Sequence, residues 1–200
     1  MHEFGVVILA AGASRRLGRP KQLVEVSGRT LLELACEAAV GSGARQVVLV
    51  VGAFGEEISS AAKNSDGQGS EIHQTETVLC PDWEEGMAAS IRTGVKSLRA
   101  DLQSLVIMLC DQPFVSASHI QELSAQVSAL TPIVASRYED GTLGVPCAFH
   151  RSQFSALIGL QGDKGARELI RSSEVPVGEV LLPRSEDLDT TAHIEALQGS

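Results

Sequence analysis

The segment FGVVILAAGASRRLGRPK, residues 4–21, decides the fold. Its first six residues, Phe4–Leu9, are apolar and rich in β-branched side chains, a pattern typical of a strand buried on both faces. A loop of small and basic residues follows, from Ala10 to Gln22. Glycine and alanine let a ligand approach the backbone closely, so this segment predicts a strand that ends in a binding loop.

The rest of the chain repeats the alternation of short apolar runs and helical patterns. We predict further strands at Val47–Val51, Glu76–Leu79, Leu105–Leu109 and Val175–Leu182, and a strand pair at Pro132–Tyr138 and Thr142–Phe149. We predict helices from the Thr30 capping box to about Gly43, then at Glu56–Lys63, Met87–Leu98, Ser116–Leu130, Gly162–Arg171 and Thr191–Leu197, with an exposed loop at Asn64–Ser70.

This order of elements predicts an α/β protein with a Rossmann-like, three-layer α/β/α architecture. Its sheet should be mostly parallel, with a small antiparallel extension contributed by the later strands. Neither a repeat nor a convincing linker interrupts the pattern. We therefore expect residues 1–200 to form a single domain.

The charge pattern excludes several classes of partner. The net charge is −9, which argues against general binding to nucleic acid or to anionic membranes. Arg15–Lys21 nevertheless holds four of the sixteen basic residues and no acid, so it forms one local site for anions. The four cysteines lack metal-ligand spacing, and the N-terminus lacks a signal-length apolar run. We expect reduced thiols and a cytoplasmic protein.

The strongest candidates for chemistry are the loop after Leu9 and the carboxylate of Asp111. Asp111 follows the apolar run Leu105–Leu109, and carboxyl ends of parallel strands meet at one edge of a sheet. Backbone N–H groups and cations such as Lys21 can hold a triphosphate, while one carboxylate can hold Mg²⁺ beside it. The simpler alternatives are a glycine turn with solvated cations, and an aspartate that caps the Ser116 helix.

Three other segments are open to two interpretations. Ser90, near a helix start, suits contact with a nucleotide but is also an ordinary helix residue. Asp189 is either a second metal ligand or the cap of the last helix. Asp163-Lys164 lies in a glycine-rich helix start that could face an anionic acceptor. The five histidines share no metal-ligand spacing.

The segment Leu9–Lys21 resembles the signature L-A-[AG]-G-x-S-x-R-[ML]-G-x-P-K of the MobA-like molybdenum cofactor nucleotidyltransferases. The resemblance covers most of the chain, because five further segments follow in family order: Trp83–Ile91, Cys110–Pro113, Gly144–Pro146, Gly162–Arg167 and Asp187–Thr190. Leu17 replaces the usual methionine. Asp189 lacks the Pro-Glu-Asp that often follows the D-x-D-T motif.

The resemblance implies roles for particular residues. Asp111 and Asp189 would bind Mg²⁺, with Mn²⁺ as an alternative, and Lys21, Arg16 and Asp111 would be catalytic. The nucleotide contacts would come from the loop and two later segments, at Leu9, Ala10, Ala11, Gly12, Arg16, Lys21, Asp82 and Ser90. Asp82 ends the segment Thr75–Asp82, which we expect to read the base.

The resemblance further implies transfer of CMP from CTP to the terminal phosphate of the molybdenum-pterin cofactor, with release of pyrophosphate. CTP rather than GTP is expected from Ala11, where guanylyltransferase relatives usually have glycine. The partners would be CTP, the molybdopterin cofactor and a molybdoenzyme or its maturation chaperone. The alternatives are a nucleotidyltransferase with GTP or with a sugar or alcohol phosphate, and a binding module without turnover.

Overall fold

The computed structural model describes residues 3–15, 17–64 and 74–183. The strands in these ranges are β1 Phe4–Ala10, β2 Glu25–Val26, β3 Arg29–Thr30, β4 Gln46–Val51, β5 Thr75–Leu79, β6 Ser104–Leu109, β7 Ile133–Arg137, β8 Leu143–His150 and β9 Val177–Leu181. The helices are α1 Leu31–Gly41, α2 Gly55–Asn64, α3 Met87–Ser97, α4 Ala117–Gln126, α5 Phe154–Ile158 and α6 Ala166–Arg171.

Seven of the described strands form one large sheet with the order β5-β4-β1-β6-β8-β7-β9, while β2 and β3 pair in a separate two-stranded sheet. β1 lies in its interior, with β4 and β6 parallel to it on either side. β8 runs antiparallel to both β6 and β7, whereas β9 is parallel to β7. The predicted fold class is confirmed, and its antiparallel part is β8, which lies inside the sheet.

The apolar side chains of β1 alternate between two cores. Val6 and Ile8 pack in one core with residues of α1, α2 and α4, while Val7 and Leu9 pack in the other with residues of α3, α5 and α6. Because side chains point to opposite faces along a strand, a fully apolar strand requires helices on both faces. The three-layer architecture follows from this run of apolar residues.

Local sequence signals explain where two helices begin and end. α1 begins at the predicted capping box, in which Glu33 N donates to Thr30 Oγ1 at 3.1 Å and Thr30 N donates to Glu33 Oε2 at 2.7 Å. α4 ends at Gln126 instead of the predicted Leu130. Val127 is extended, and Thr131 N donates to Ser128 Oγ, so a local side-chain bond replaces the helical one.

The last described helix begins later than predicted. The prediction of helix from Gly162 was wrong, because Gly162 has φ of 63° and α6 begins at Ala166. The sequence reading also missed the short hairpin β2–β3 and the five-residue helix α5, which are too short for a periodic signal. The loop 65–70 and the helix predicted at Thr191–Leu197 lie outside the described residues.

Among the described residues, no helix combines the length and the apolar character needed to cross a lipid bilayer.

Candidate nucleotide-binding site

The loop after β1 and the segment after β6 meet at one edge of the sheet, as the sequence predicts. Leu9 of β1 is the register partner of Leu109 of β6, so the segments that follow these two strands leave the sheet side by side. A cavity of about 570 Å³ opens there, within the range of roughly 300–1,000 Å³ typical of small-molecule sites. It is lined by Leu9, Ala10, Ala11, Gly12, Ala13, Arg15, Lys21, Gln22, Trp83, Glu84, Gly86, Met87, Ser90, Leu109, Cys110, Asp111 and Asp163.

Ser14 organises the loop between β1 and Lys21. Its φ of 47° is left-handed, which is uncommon for a residue other than glycine. Leu17 N and Gly18 N both donate to Ser14 O, at 2.9 and 3.2 Å, and Lys21 N donates to Ser14 Oγ at 3.1 Å. A single serine therefore closes the turn 14–18 through its carbonyl oxygen and holds the backbone of Lys21 through its side chain.

The buried side chain of Gln22 supports the same loop, a role that the sequence analysis did not predict. Its side chain is almost fully buried, and its Nε2 donates to Ala10 O at 2.7 Å and to Gly12 O at 3.4 Å. The signal was a glutamine beside the apolar residues Leu23 and Val24, where a buried amide needs backbone partners. Because Gln22 engages these two carbonyl oxygens, it fixes the orientation of the peptide groups that line the cavity.

We expect Gln22→Leu to loosen the loop while leaving the sheet intact. The substitution strands the buried Ala10 carbonyl, which costs about 1–3 kcal/mol. Nucleotide affinity should fall on the order of tenfold, since a displacement worth about 1.4 kcal/mol has that effect. Isothermal titration with a panel of nucleoside triphosphates and thermal unfolding would measure both effects. Gln126→Leu, on the exposed surface of α4, is the control, and equal affinities for the two variants would contradict this role.

Lys21 and Asp111 form an ion pair across 90 residues of sequence. Lys21 Nζ donates to Asp111 Oδ2, and the two side chains are 22% and 8% exposed, respectively. The other carboxylate oxygen, Oδ1, is buried and has no hydrogen-bond partner within the described part of the chain. A buried carboxylate oxygen without a partner is costly unless a ligand completes it.

The cysteine beside Asp111 is chemically inert. Burial raises the pKa of the Cys110 thiol well above its usual range, and burial also raises the pKa of Cys36 to about 12. Both thiols are therefore neutral near pH 7, so neither is an activated nucleophile. The reactive group on this segment is the carboxylate.

A buried network holds the segment that contains Asp111. Gln112 Nε2 donates to Val145 O at 3.1 Å, and Tyr138 Oη donates to the same oxygen at 2.6 Å. Nearby, Ser136 Oγ donates to Pro146 O at 2.6 Å, which leaves His119 Nε2–H to donate to Ser136 Oγ. Burial lowers the pKa of His119, so this ring is a neutral structural group.

Ala11 contacts the end of β4. Its carbonyl oxygen accepts from Ala53 N at 3.1 Å, and the residue is almost fully buried while still lining the cavity. A Cβ added to Gly52 would lie 2.8 Å from the Ala11 Cβ and 2.8 Å from the Trp83 Cβ. The Ala11 methyl therefore lies in a tightly packed part of the wall, where its volume affects the shape of the cavity.

The start of α3 forms the opposite wall. Gly86, Met87 and the buried Ser90 line the cavity there, so the predicted position of Ser90 beside the site fits the geometry. Ala88 N donates to Gly162 O at 3.1 Å. The loop that precedes α6 thus satisfies a backbone donor at the start of α3 and joins the two segments.

Two acidic side chains in the lining were not assigned to the site from the sequence. Glu84 and Asp163 face the cavity together with Asp111, whereas the described cations of the lining are Arg15 and Lys21. The sequence reading had left Asp163-Lys164 open as a site for an anionic acceptor. Of these two residues, the structure brings Asp163 to the cavity, and Lys164 is not among its described lining residues.

The structure places one predicted site residue outside the cavity lining, and two others cannot be placed. Arg16 and Asp189 lie outside the described residues. Asp82 is exposed at the start of the 3₁₀ turn Trp83–Glu85, and the described lining does not include it. Within the described ranges, no cluster of three His, Cys, Asp or Glu side chains is arranged to hold a metal ion.

The three-layer α/β/α architecture, the loop that lines the cavity and the Lys21–Asp111 pair define a nucleotide-binding α/β protein. The model of the MobA-like NTP transferase domain matches residues 6–177. The chain belongs to this family and is a nucleotidyltransferase. The resemblance noted in its first loop is thereby confirmed at the level of the family.

Relatives match along nearly the whole chain. Purine catabolism protein PucB of Bacillus subtilis is 31% identical over 197 residues, which cover 92% of this chain and 90% of the relative. Nicotine blue oxidoreductase of Paenarthrobacter nicotinovorans is 32% identical over 178 residues, with 82% and 80% covered. The crystal structure of Rv0371c from Mycobacterium tuberculosis H37Rv has a TM-score of 0.82 and 32% identity, covering 100% of this chain and 99% of that one.

Proposed function

We propose that this protein transfers CMP from CTP to the terminal phosphate of the molybdenum-pterin cofactor, giving a cytosine dinucleotide cofactor and pyrophosphate. The observation that carries the proposal is the Lys21–Asp111 pair, which joins a cation of the first loop to a strand-end carboxylate inside one cavity. A triphosphate and a divalent metal ion need these two groups together. The proposed domain comprises residues 1–200, and the proposed location is the cytoplasm.

The residues present fit a divalent metal ion. Asp111 offers a buried oxygen without a partner, and carboxylates are ligands that Mg²⁺ prefers beside phosphate oxygens. A second crystal structure of Rv0371c contains manganese. Its chain is 30% identical to this one, and its TM-score is 0.79. We propose Mg²⁺, with Mn²⁺ as an alternative, and Asp189 as the second ligand. The ion would polarise the α-phosphate and offset its negative charge.

The chain's own residues would orient the triphosphate and neutralise its negative charge. The peptide groups of Ala11 and Gly12 would hold the triphosphate oxygens, and Lys21 would neutralise the β- and γ-phosphates, with Arg16 as a second cation. An oxygen of the acceptor phosphate attacks the α-phosphorus, the bond to the bridging oxygen breaks, and pyrophosphate leaves. The attacking phosphate is already ionised near pH 7, so the reaction requires alignment and no general base.

The acidic part of the lining favours a particular kind of acceptor. Glu84 and Asp163 would repel a purely anionic molecule but can accept hydrogen bonds from amino and ring N–H groups. A pterin carries such donors at one end and a phosphate at the other. This distribution of charge fits a pterin phosphate. The hydroxyl groups of a sugar phosphate can donate to the same carboxylates, so the choice of the pterin rests on the resemblance of the sequence motifs. A molybdoenzyme or its maturation chaperone would receive the product.

We expect native protein to prefer CTP over GTP, and Ala11→Gly to relax this preference without reversing it. The Ala11 methyl lies in a tightly packed wall, and one methyl-sized change in a pocket is worth about 1–3 kcal/mol, or roughly 10–200-fold. The measurement is transfer efficiency with each nucleotide at saturating pterin acceptor. Ala61→Gly, on the half-buried side of α2, is a matched control that removes a methyl elsewhere. A transfer efficiency with GTP equal to or higher than that with CTP, in native protein, would refute the cytidylyl assignment.

One comparison favours a second candidate. Nicotine blue oxidoreductase is 32% identical to this chain, and its name denotes a redox reaction. If this chain catalysed such a reaction, it would oxidise or reduce a substrate and release no pyrophosphate. Assays of pyrophosphate release with CTP or GTP and a pterin, sugar or alcohol phosphate acceptor separate the transferase alternatives. Oxidation of a reduced nicotinamide nucleotide without pyrophosphate release would instead support the redox candidate.

A further inference from the structure

The side chain of Lys21 has two potential partners in this site. In the structure its ammonium group lies on Asp111 Oδ2, the carboxylate that would hold a metal ion. Its backbone is fixed separately, because Lys21 N donates to Ser14 Oγ at 3.1 Å. A lysine side chain has a flexible four-carbon stem, so the ammonium can move while the loop stays in place.

We propose that Lys21 acts as an internal counter-ion that excludes a metal ion from Asp111 until a triphosphate draws the lysine away. The inference depends on Asp111 being a metal ligand, as in the proposed function. It adds a linkage between the two ligands: the protein binds metal weakly by itself, and the nucleotide removes the competitor.

The electrostatics of the pair carry this inference. Asp111 is 8% exposed on its side chain, and a metal ion added beside the ammonium would place two cations against one poorly solvated carboxylate. Repulsion between like charges is strong where water is scarce. A triphosphate offers the ammonium several oxygens in exchange for one, so moving Lys21 onto the phosphates frees Asp111.

The exchange also explains the unequal state of the two carboxylate oxygens. Oδ2 accepts from Lys21, while Oδ1 is buried without a hydrogen-bond partner in the described structure. An ion pair that served stability alone would be expected to satisfy both oxygens. Oδ1 is therefore the oxygen that a metal ion could use once the Lys21 ammonium has left Oδ2 and its repulsion is removed.

The test is the affinity for Mn²⁺ alone, without nucleotide, measured at pH 8 from the electron paramagnetic resonance signal of the free ion. Lys21→Gln removes the charge but keeps a hydrogen-bond donor for Asp111, and Lys21→Met keeps the apolar stem. We expect both variants to bind Mn²⁺ about tenfold more tightly than native protein, within the usual range of coupling between sites. Lys21→Arg keeps the charge and should bind Mn²⁺ as weakly as native protein.

The matched control is Arg15→Gln, which removes one positive charge from the same cavity without touching the pair. A gain in Mn²⁺ affinity equal to that of Lys21→Gln would mean that overall charge, and not competition for Asp111, controls the site, and would overturn the proposal. Unchanged affinity in both neutral Lys21 variants would overturn it as well. Asp111→Asn should abolish the gain when combined with Lys21→Gln.

These outcomes are distinct from a failure of the proposed reaction. Absence of transfer to a pterin phosphate, together with a tenfold gain of Mn²⁺ affinity in Lys21→Gln, would refute the acceptor and support the counter-ion. Transfer to a pterin phosphate, together with unchanged Mn²⁺ affinity in Lys21→Gln, would support the acceptor and refute the counter-ion.

Discussion

Asp111→Asn is expected to reduce nucleotidyl transfer by at least about a hundredfold while the protein stays folded. Removal of one preorganised electrostatic group from an active site has an effect of this order. Asparagine keeps the size of the side chain but removes the charge that pairs with Lys21 and that a metal ion requires. The measurement is the single-turnover rate of pyrophosphate release at saturating nucleotide, with circular dichroism to verify the fold.

Asp101→Asn is the control for this experiment, because Asp101 is an exposed aspartate whose partners Arg45 and Arg99 lie on the surface. Exposed ion pairs contribute little, so this variant should retain nearly full activity. A folded Asp111→Asn protein with turnover close to native would remove Asp111 from the mechanism and, with it, the proposed metal site.

Gly86→Ala is expected to lower the free energy of unfolding by about 2–4 kcal/mol and to abolish detectable nucleotide binding. Gly86 has φ of 115° and ψ of −173°, a region essentially restricted to glycine. A Cβ there would lie 2.5 Å from both Asp163 Oδ1 and Gly162 O, so the loop before α6 would have to move. Urea denaturation and CTP titration would measure the two losses.

Gly141→Ala separates backbone strain from crowding. Gly141 also has a positive φ, of 82°, but a Cβ there would meet no atom within 4 Å. This variant should lose only the cost of the backbone conformation, about 1 kcal/mol, and keep its nucleotide affinity. If both variants bound CTP equally well, the contact between Gly86 and the loop 162–163 would not matter for the site.

The candidate site was predictable where its residues follow buried strands. The run Phe4–Leu9 indicated a strand covered on both faces, and the apolar run before Asp111 indicated a parallel strand. Their carboxyl ends had to share an edge, which brought Lys21 and Asp111 together across 90 residues. The resemblance of the first loop to known nucleotidyltransferases supplied the class of reaction, and the family match confirmed it.

The rest depended on contacts that no local pattern encodes. Gln22 supports the loop because its amide reaches the carbonyls of Ala10 and Gly12, and Asp163 lines the cavity because Gly162 and Gly86 approach each other closely. Both are tertiary relations between segments whose sequences resemble ordinary turns. The position of β8 was hidden for the same reason, since a hairpin pattern does not reveal which third strand it joins.

The placement of β1 between β4 and β6 has a consequence for biosynthesis. The loop after β1 is synthesised well before β6, the second neighbour of β1, and before Asp111, the partner of Lys21 that follows β6. Until then the growing chain presents an apolar strand with one unpaired edge, the kind of surface that invites aggregation. A nascent chain stalled near residue 100 should therefore depend on chaperones, whereas one extended through β8 can bury this strand from both sides.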